Sequence, residues 1–196
     1  MVLTLRALAA LALIVSPMPA WAVDEDTQFW VFLNASVPLG GSATGLLEIS
    51  PRARTGSELV LARIGADARI AEGITAGGGI AYVEFANGNE VRPHQQLTVT
   101  SGRWTLRTRL EQRLFEGAAR AQWRLRQRVQ VALPLDQATQ VSVGGEVLYI
   151  VHSDVPGRPD QVDQWRADVT VRRRLSPQFD LSATYRAILS PRIAAE

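Results

Sequence analysis

The feature that most constrains this chain is a period of two. From Trp104 to Leu114 it reads WTLRTRLEQRL, which puts Trp104, Leu106, Thr108, Leu110 and Leu114 on one face and Arg107, Arg109, Glu111 and Arg113 on the other. A helix would scatter both sets around its circumference, whereas a strand sends alternate side chains to opposite sides. The segment after it, AQWRLRQRVQVAL, repeats the arrangement. Ala121, Trp123, Leu125, Val129 and Val131 stand opposite Gln122, Arg124, Arg126, Arg128 and Gln130.

The same alternation continues toward the C-terminus. Val141, Val143, Val147, Tyr149 and Val151 oppose Gln140, Ser142 and Glu146; Trp165, Ala167, Val169 and Val171 oppose Arg166, Asp168, Thr170 and Arg172. Leu181, Ala183, Tyr185, Ala187 and Leu189 oppose Asp180, Ser182, Thr184 and Arg186. Less regular strands are expected at 28–37, 44–54, 58–68, 74–85 and 94–101, with turn chemistry such as PLGGSATG, RTGS, ANGNE, SGR and VPGRPD between runs. The sum is an all-β chain: an antiparallel up-and-down barrel of about ten strands, close to membrane-crossing length. Residues 86–93 and 152–163 read as longer loops at the end that holds both termini. Bacterial barrels keep their periplasmic turns short. Either one strand before residue 85 is miscounted, then, or the longer loops face the periplasm.

Two architectures accept such strands. A soluble barrel of the lipocalin kind turns its apolar face inward and binds an apolar ligand there; a membrane barrel turns it toward lipid and keeps its charges inside. The apolar faces here are rich in Ala, Gly and Val, thin material for a packed soluble core. Phe29, Trp104, Trp123 and Trp165 stand on them near strand ends, where interfacial aromatic girdles form. An arginine on the lipid face costs roughly 2–4 kcal/mol at mid-bilayer. Three on one strand would rival the whole stability of a domain, about 5–15 kcal/mol. The arginines therefore belong in the lumen.

The N-terminus supports export. Arg6, the apolar run Ala7 to Val15 and the small-x-small triplet Ala20-Trp21-Ala22 describe a cleavable signal peptide over 1–22, leaving a single barrel domain over 23–196. The 196 residues contain no cysteine, so no disulfide supports the fold. All 21 basic residues are arginine, and the formal net charge of +2 is too even to indicate a nucleic-acid partner. Arginine is also suited to crowded ion pairs, because its fork grips carboxylates bidentately.

The runs LEQRLF (110–115), WRLRQRV (123–129), GGEVLYIV (144–151) and DQWRADVTVRRRLS (163–176), with GGGIAYV (77–83) more loosely, resemble the bacterial domain of unknown function 2490 family. The resemblance implies an outer-membrane barrel of about this length and places Glu111, Arg113, Glu146 and Arg166 in a recurring polar set. It assigns none of them a reaction.

Catalytic and metal signatures are sparse. His152-Ser153-Asp154 has the residue types of a triad, but neighbours in one loop cannot adopt triad geometry. His94 reads as a surface or lumen-rim histidine, and Asp154, Asp160 and Asp163 as a solvated turn. No catalytic residue, metal site or cofactor is expected. The expected functional set is a lumen charge network of Arg107, Arg109, Glu111, Arg113, Arg124, Arg126, Arg128, Glu146, Arg166, Asp168 and Arg172. That network either plugs the barrel with ion pairs or attracts anions. The expectation is a small outer-membrane barrel, structural or weakly anion-conducting. Its partners would be outer-membrane lipid, small anions and, during biogenesis, the barrel-assembly machinery. A soluble periplasmic barrel is the first alternative. A lipid-modifying enzyme using His94 or His152 is the second.

Overall fold

A computed structural model describes the backbone of residues 23–54, 57–86 and 88–191, and their side chains except at 23–27, 53–54 and 57–58. The expected signal peptide at 1–22 and the last five residues lie outside the described residues. Ten strands follow in order: β1 Val23–Gly40, β2 Ala43–Arg54, β3 Ser57–Ala71, β4 Ile74–Phe85, β5 Gly88–Ser101, β6 Trp104–Phe115, β7 Gln122–Pro134, β8 Thr139–His152, β9 Gln161–Arg174 and β10 Phe179–Pro191. Each pairs with its chain neighbours, and β1 pairs antiparallel with β10 from Val23↔Pro191 to Ala35↔Phe179, closing the barrel. A strand of 14 residues such as β8 is roughly 45 Å long at about 3.3 Å per residue, enough to cross an apolar core of about 25–30 Å when tilted.

The strand count stands at ten, and the segment expected as a loop over 86–93 is mostly strand. β5 begins at Gly88, carrying Glu90 and Arg92 on the inner wall. Asn-Gly and Pro signals concealed it. Pro93 sits inside the strand at the point where β5–β6 pairing lapses, between Val91↔Leu114 and His94↔Glu111, as expected of a residue without an N–H. The remaining longer connections, 116–121 and 153–160, do lie at the end that holds the termini. At the opposite end the strands are joined by tight hairpins. At one of them Gly73 has φ +66°, and an added Cβ would stand 2.5 Å from the Thr100 carbonyl oxygen, so only glycine makes that turn without strain.

Polarity is inverted relative to a soluble domain. Among the described residues, seven apolar side chains are buried against eighteen polar or charged ones, while thirty large apolar residues are exposed. Soluble proteins bury charge rarely and expose apolar residues singly; here the exposed set covers the outer wall of all ten strands, as in Leu33, Ile49, Ile64, Ile80, Leu97, Leu106, Leu125, Val143, Val169 and Leu181. This is a membrane-type barrel. Its apolar interior is small: Leu61, Ala81 and Val83 cluster on β3 and β4 against Leu59 and Phe85.

Candidate functional site

The inner wall is built by parity. With one face committed to the outside, every second residue of β6, β7, β8 and β9 must point inward, and the eleven charged residues expected in the lumen fall on that parity. Four carboxylates organise them. Glu111 takes Arg124 at 2.8 Å, Arg126 at 2.7 Å and Arg109 at 3.5 Å. Glu146 takes Arg126 at 2.7 Å, Arg107 at 3.2 Å and Arg166 at 3.5 Å, so Arg126 bridges the two glutamates. Asp168 accepts both terminal nitrogens of Arg128 at 2.7 Å and one of Arg186 at 3.0 Å. Glu90 accepts Arg92 and Arg113 at 2.6 Å. Asp163 adds a fifth carboxylate, 3.0 Å from Arg124. Arg172, by contrast, is exposed near the hairpin end and donates to Gln140 at 3.3 Å.

Several of these pairs skip a strand. Arg128 of β7 reaches Asp168 of β9 across β8, where Gly144 lies between; a Cβ on Gly144 would sit 3.0 Å from Arg128 Nη2. The glycine of the GGEV run is thus the gap through which the ion pair forms. Arg107 of β6 likewise passes β7 to reach Glu146 of β8.

Charge does not balance within this network. Among the described residues, nine arginines (Arg92, Arg107, Arg109, Arg113, Arg124, Arg126, Arg128, Arg166, Arg186) meet five carboxylates, an excess of 9 − 5 = 4 positive charges. Most of these arginines border a cavity of about 410 Å³ opening toward the hairpin end; among the described residues its wall carries eleven arginines, nine of them ion-paired, together with Glu48 and Asp180. Arg63 holds Glu48 at 3.0 Å. Toward the termini the lumen is filled by Leu61, Val83 and Leu148 at 0% exposure, with Ile150, Ile188, Glu90 and Gln122 also buried.

The aromatic residues expected as a girdle lie on the outer wall at different heights. Trp104 opens β6 at the hairpin end and Trp123 lies at the start of β7, at the termini end. Trp165 is the fifth residue of β9, with its indole Nε1 buried and unpartnered. Phe29 is not near a strand end: β1 starts at Val23, which puts Phe29 at mid-wall beside Tyr185.

His94, expected at a surface or rim, is buried in the lumen wall opposite Glu111. His152 ends β8 and is exposed. The acidic turn residues diverge: Asp163 turns inward to Arg124, Asp154 accepts from Gln122 at 2.9 Å, and Asp160 is exposed. Missing from the sequence reading were Trp30, Arg52, Arg63, Arg92, Glu48 and Glu90. In QFWVFLN the alternation sets Trp30 with Gln28, Phe32 and Asn34, opposite Phe29, Val31 and Leu33; two aromatics on the polar face blur the contrast that marks the later strands.

The fold and its inner wall define a small outer-membrane-type β-barrel with a cationic lumen. Within that class the chain belongs to the family described as Protein of unknown function (DUF2490), matched over residues 27–194. No protein of curated function matches the sequence. Solved barrels share the fold: a KdgM porin aligns with a TM-score of 0.52 at 9% identity over 88% of this chain and 100% of its own. The KdgM porin in complex with disordered oligogalacturonate gives 0.50 at 9% identity over the same shares.

Proposed function

We propose that this protein is a non-enzymatic barrel of the outer membrane whose lumen is a one-ended vestibule that attracts small anions and passes them weakly. The observation that carries the reading is the arginine excess of the inner wall: among the described residues nine arginines meet five carboxylates, and Arg52 and Arg172 face the same cavity with no carboxylate within 4.0 Å. Buried charge without local compensation draws counter-ions from solution, and cationic linings select for anions. The filled half toward the termini argues for low conductance. The arrangement of the wall speaks against an apolar ligand inside, because the interior is ionic and the leucines are outside. The placement of the two histidines speaks against a shared catalytic centre: His94 is buried in the lumen wall of β5, and His152 is exposed where β8 ends, at the end that holds the termini.

Purified protein reconstituted in planar bilayers under a potassium chloride gradient tests this. Small, anion-selective conductance is expected, with the protein in the outer-membrane fraction and a faster-migrating unheated gel band. Cation selectivity, or recovery as a detergent-free periplasmic protein, would sink the reading.

A further inference from the structure

Trp30 of β1 turns into the lumen, and three guanidinium groups gather on its ring. The guanidinium carbons of Arg52, Arg186 and Arg166 lie 3.7, 4.0 and 5.5 Å from its centroid. The indole is fixed in turn, donating from Nε1 to Gln28 Oε1 at 2.8 Å. An aromatic ring holds a guanidinium by its plane and leaves its N–H edges to be used by something else.

The edges are only partly used. Arg186 is 4% exposed and gives one terminal nitrogen to Asp168 at 3.0 Å, while its Nε is buried without a hydrogen-bond partner. Arg166 donates to Gln164 and comes no nearer than 3.5 Å to Glu146. Arg52 has no carboxylate within 4.0 Å among the described residues; its hydrogen bond is a long one from Nε to Ser50 Oγ at 3.4 Å. All three, with Trp30, line the cavity.

We infer that the Trp30–Arg52–Arg186–Arg166 cluster is a binding site for a small organic polyanion carrying two or more carboxylate or phosphate groups, with Arg52 as its principal contact. A planar fork with fixed N–H directions suits an oxyanion better than a spherical halide. Several cations within one stack call for more than one negative charge. The cavity of about 410 Å³ falls in the range of small-molecule sites, roughly 300–1,000 Å³, far beyond what chloride needs. The inference rests on the proposed entry of anions into the vestibule and adds a position and a ligand class to it.

The test is calorimetric titration of the mature protein in detergent micelles with citrate, inorganic phosphate and chloride at matched ionic strength, in the wild type and in R52Q, R52K and R172Q. Arg52 holds no carboxylate among the described residues, so R52Q should keep the folded, heat-modifiable band. Saturable citrate binding is expected, at least tenfold weaker in R52Q, weakened also in R52K, and changed less than twofold in R172Q. Tighter binding of phosphate with the same Arg52 dependence would equally support the site and assign it to phosphorylated ligands. Equal weakening by R52Q and R172Q, or chloride competing as well as citrate, would overturn it in favour of a diffuse field. Bilayer selectivity separates the two ideas. Anion-selective wild type with Arg52-insensitive citrate binding removes the site alone, whereas cation selectivity removes the vestibule as well.

Discussion

The two halves of the lumen solve one problem differently. Toward the termini, Leu61, Val83, Leu148 and Ile150 fill the lumen, and Glu90, Glu111 and Glu146 pair with arginines most of which also line the cavity beyond. Toward the hairpins, arginines line open space and carboxylates are few. Buried ions cost several kcal/mol each unless paired and hydrogen-bonded. The first half meets that cost within the chain, and the second leaves part of it to the solution. Interior charge in a narrow barrel is thus both a filling and a lining, according to whether its counter-charge is covalently part of the protein.

The largest effect should come from breaking the filled half. Glu146→Gln would leave Arg107, Arg126 and Arg166 around a neutral side chain, for an expected loss of about 3–5 kcal/mol. Urea titration followed by the heat-modifiable gel band would read it; a loss under about 0.5 kcal/mol, the usual size of a surface change, would mean the network is not what holds this half. Next in size, Leu148→Ala removes an apolar filler with 0% exposure, at a cost of about 2–5 kcal/mol. It should also raise single-channel conductance, and unchanged conductance would place the constriction elsewhere.

At the boundary between the halves, Gly144→Val would force a branched side chain to where Arg128 Nη2 now stands 3.0 Å from the Cβ position. Overpacking of this kind costs about 1–3 kcal/mol. Combining it with Asp168→Asn sharpens the point, since the two losses should fall short of additive if the strand-skipping pair is what Gly144 permits. In the open half, Arg172→Gln should shift stability by no more than about 0.5 kcal/mol, yet move the bilayer reversal potential toward neutrality. A stability loss like that of Glu146→Gln would erase the distinction between the halves.

The smallest effect concerns the hairpin at Asp136, whose carboxylate accepts the backbone N–H groups of Ala138 and Thr139 at 2.7 Å. These bonds, first that of Ala138, hold its carboxyl below the usual range. A depressed folded pKa gives stability that is present above the unfolded value and is lost as pH falls through the folded one. Asp136→Ala should therefore lower the melting temperature slightly at neutral pH and leave it unchanged in strong acid. An equal shift at both pH values would remove the hydrogen bonds as its cause.

Legibility along the chain followed polarity contrast. Strands β6 to β10 were readable because arginine, glutamate and aspartate alternate there with leucine, valine and tryptophan, and a one-residue slip would put charge in lipid. In β1, Trp30 and Phe32 face inward while Phe29, Val31 and Leu33 face outward. Gln28 and Asn34 share the face of Trp30, but the two aromatics between them weaken the contrast, and nothing local shows that Arg52, Arg166 and Arg186 converge there. In β5, turn-like Asn, Gly and Pro outweighed Glu90 and Arg92, although the tertiary pairing with β4 and β6 makes them strand.

What the sequence by itself determined is the period, and with it the barrel class and the inward direction of the charge, because a period of two leaves each residue only two sides. Which charges meet was decided by the tertiary structure alone. Strand stagger brings Arg128 to Asp168 over Gly144, and closure of β1 on β10 carries Trp30 and Arg186 to the same patch of wall, with β2 adding Arg52. Neighbours two strands away, or at opposite ends of the chain, leave no local pattern. Their meeting depends on register and closure, which are properties of the whole barrel.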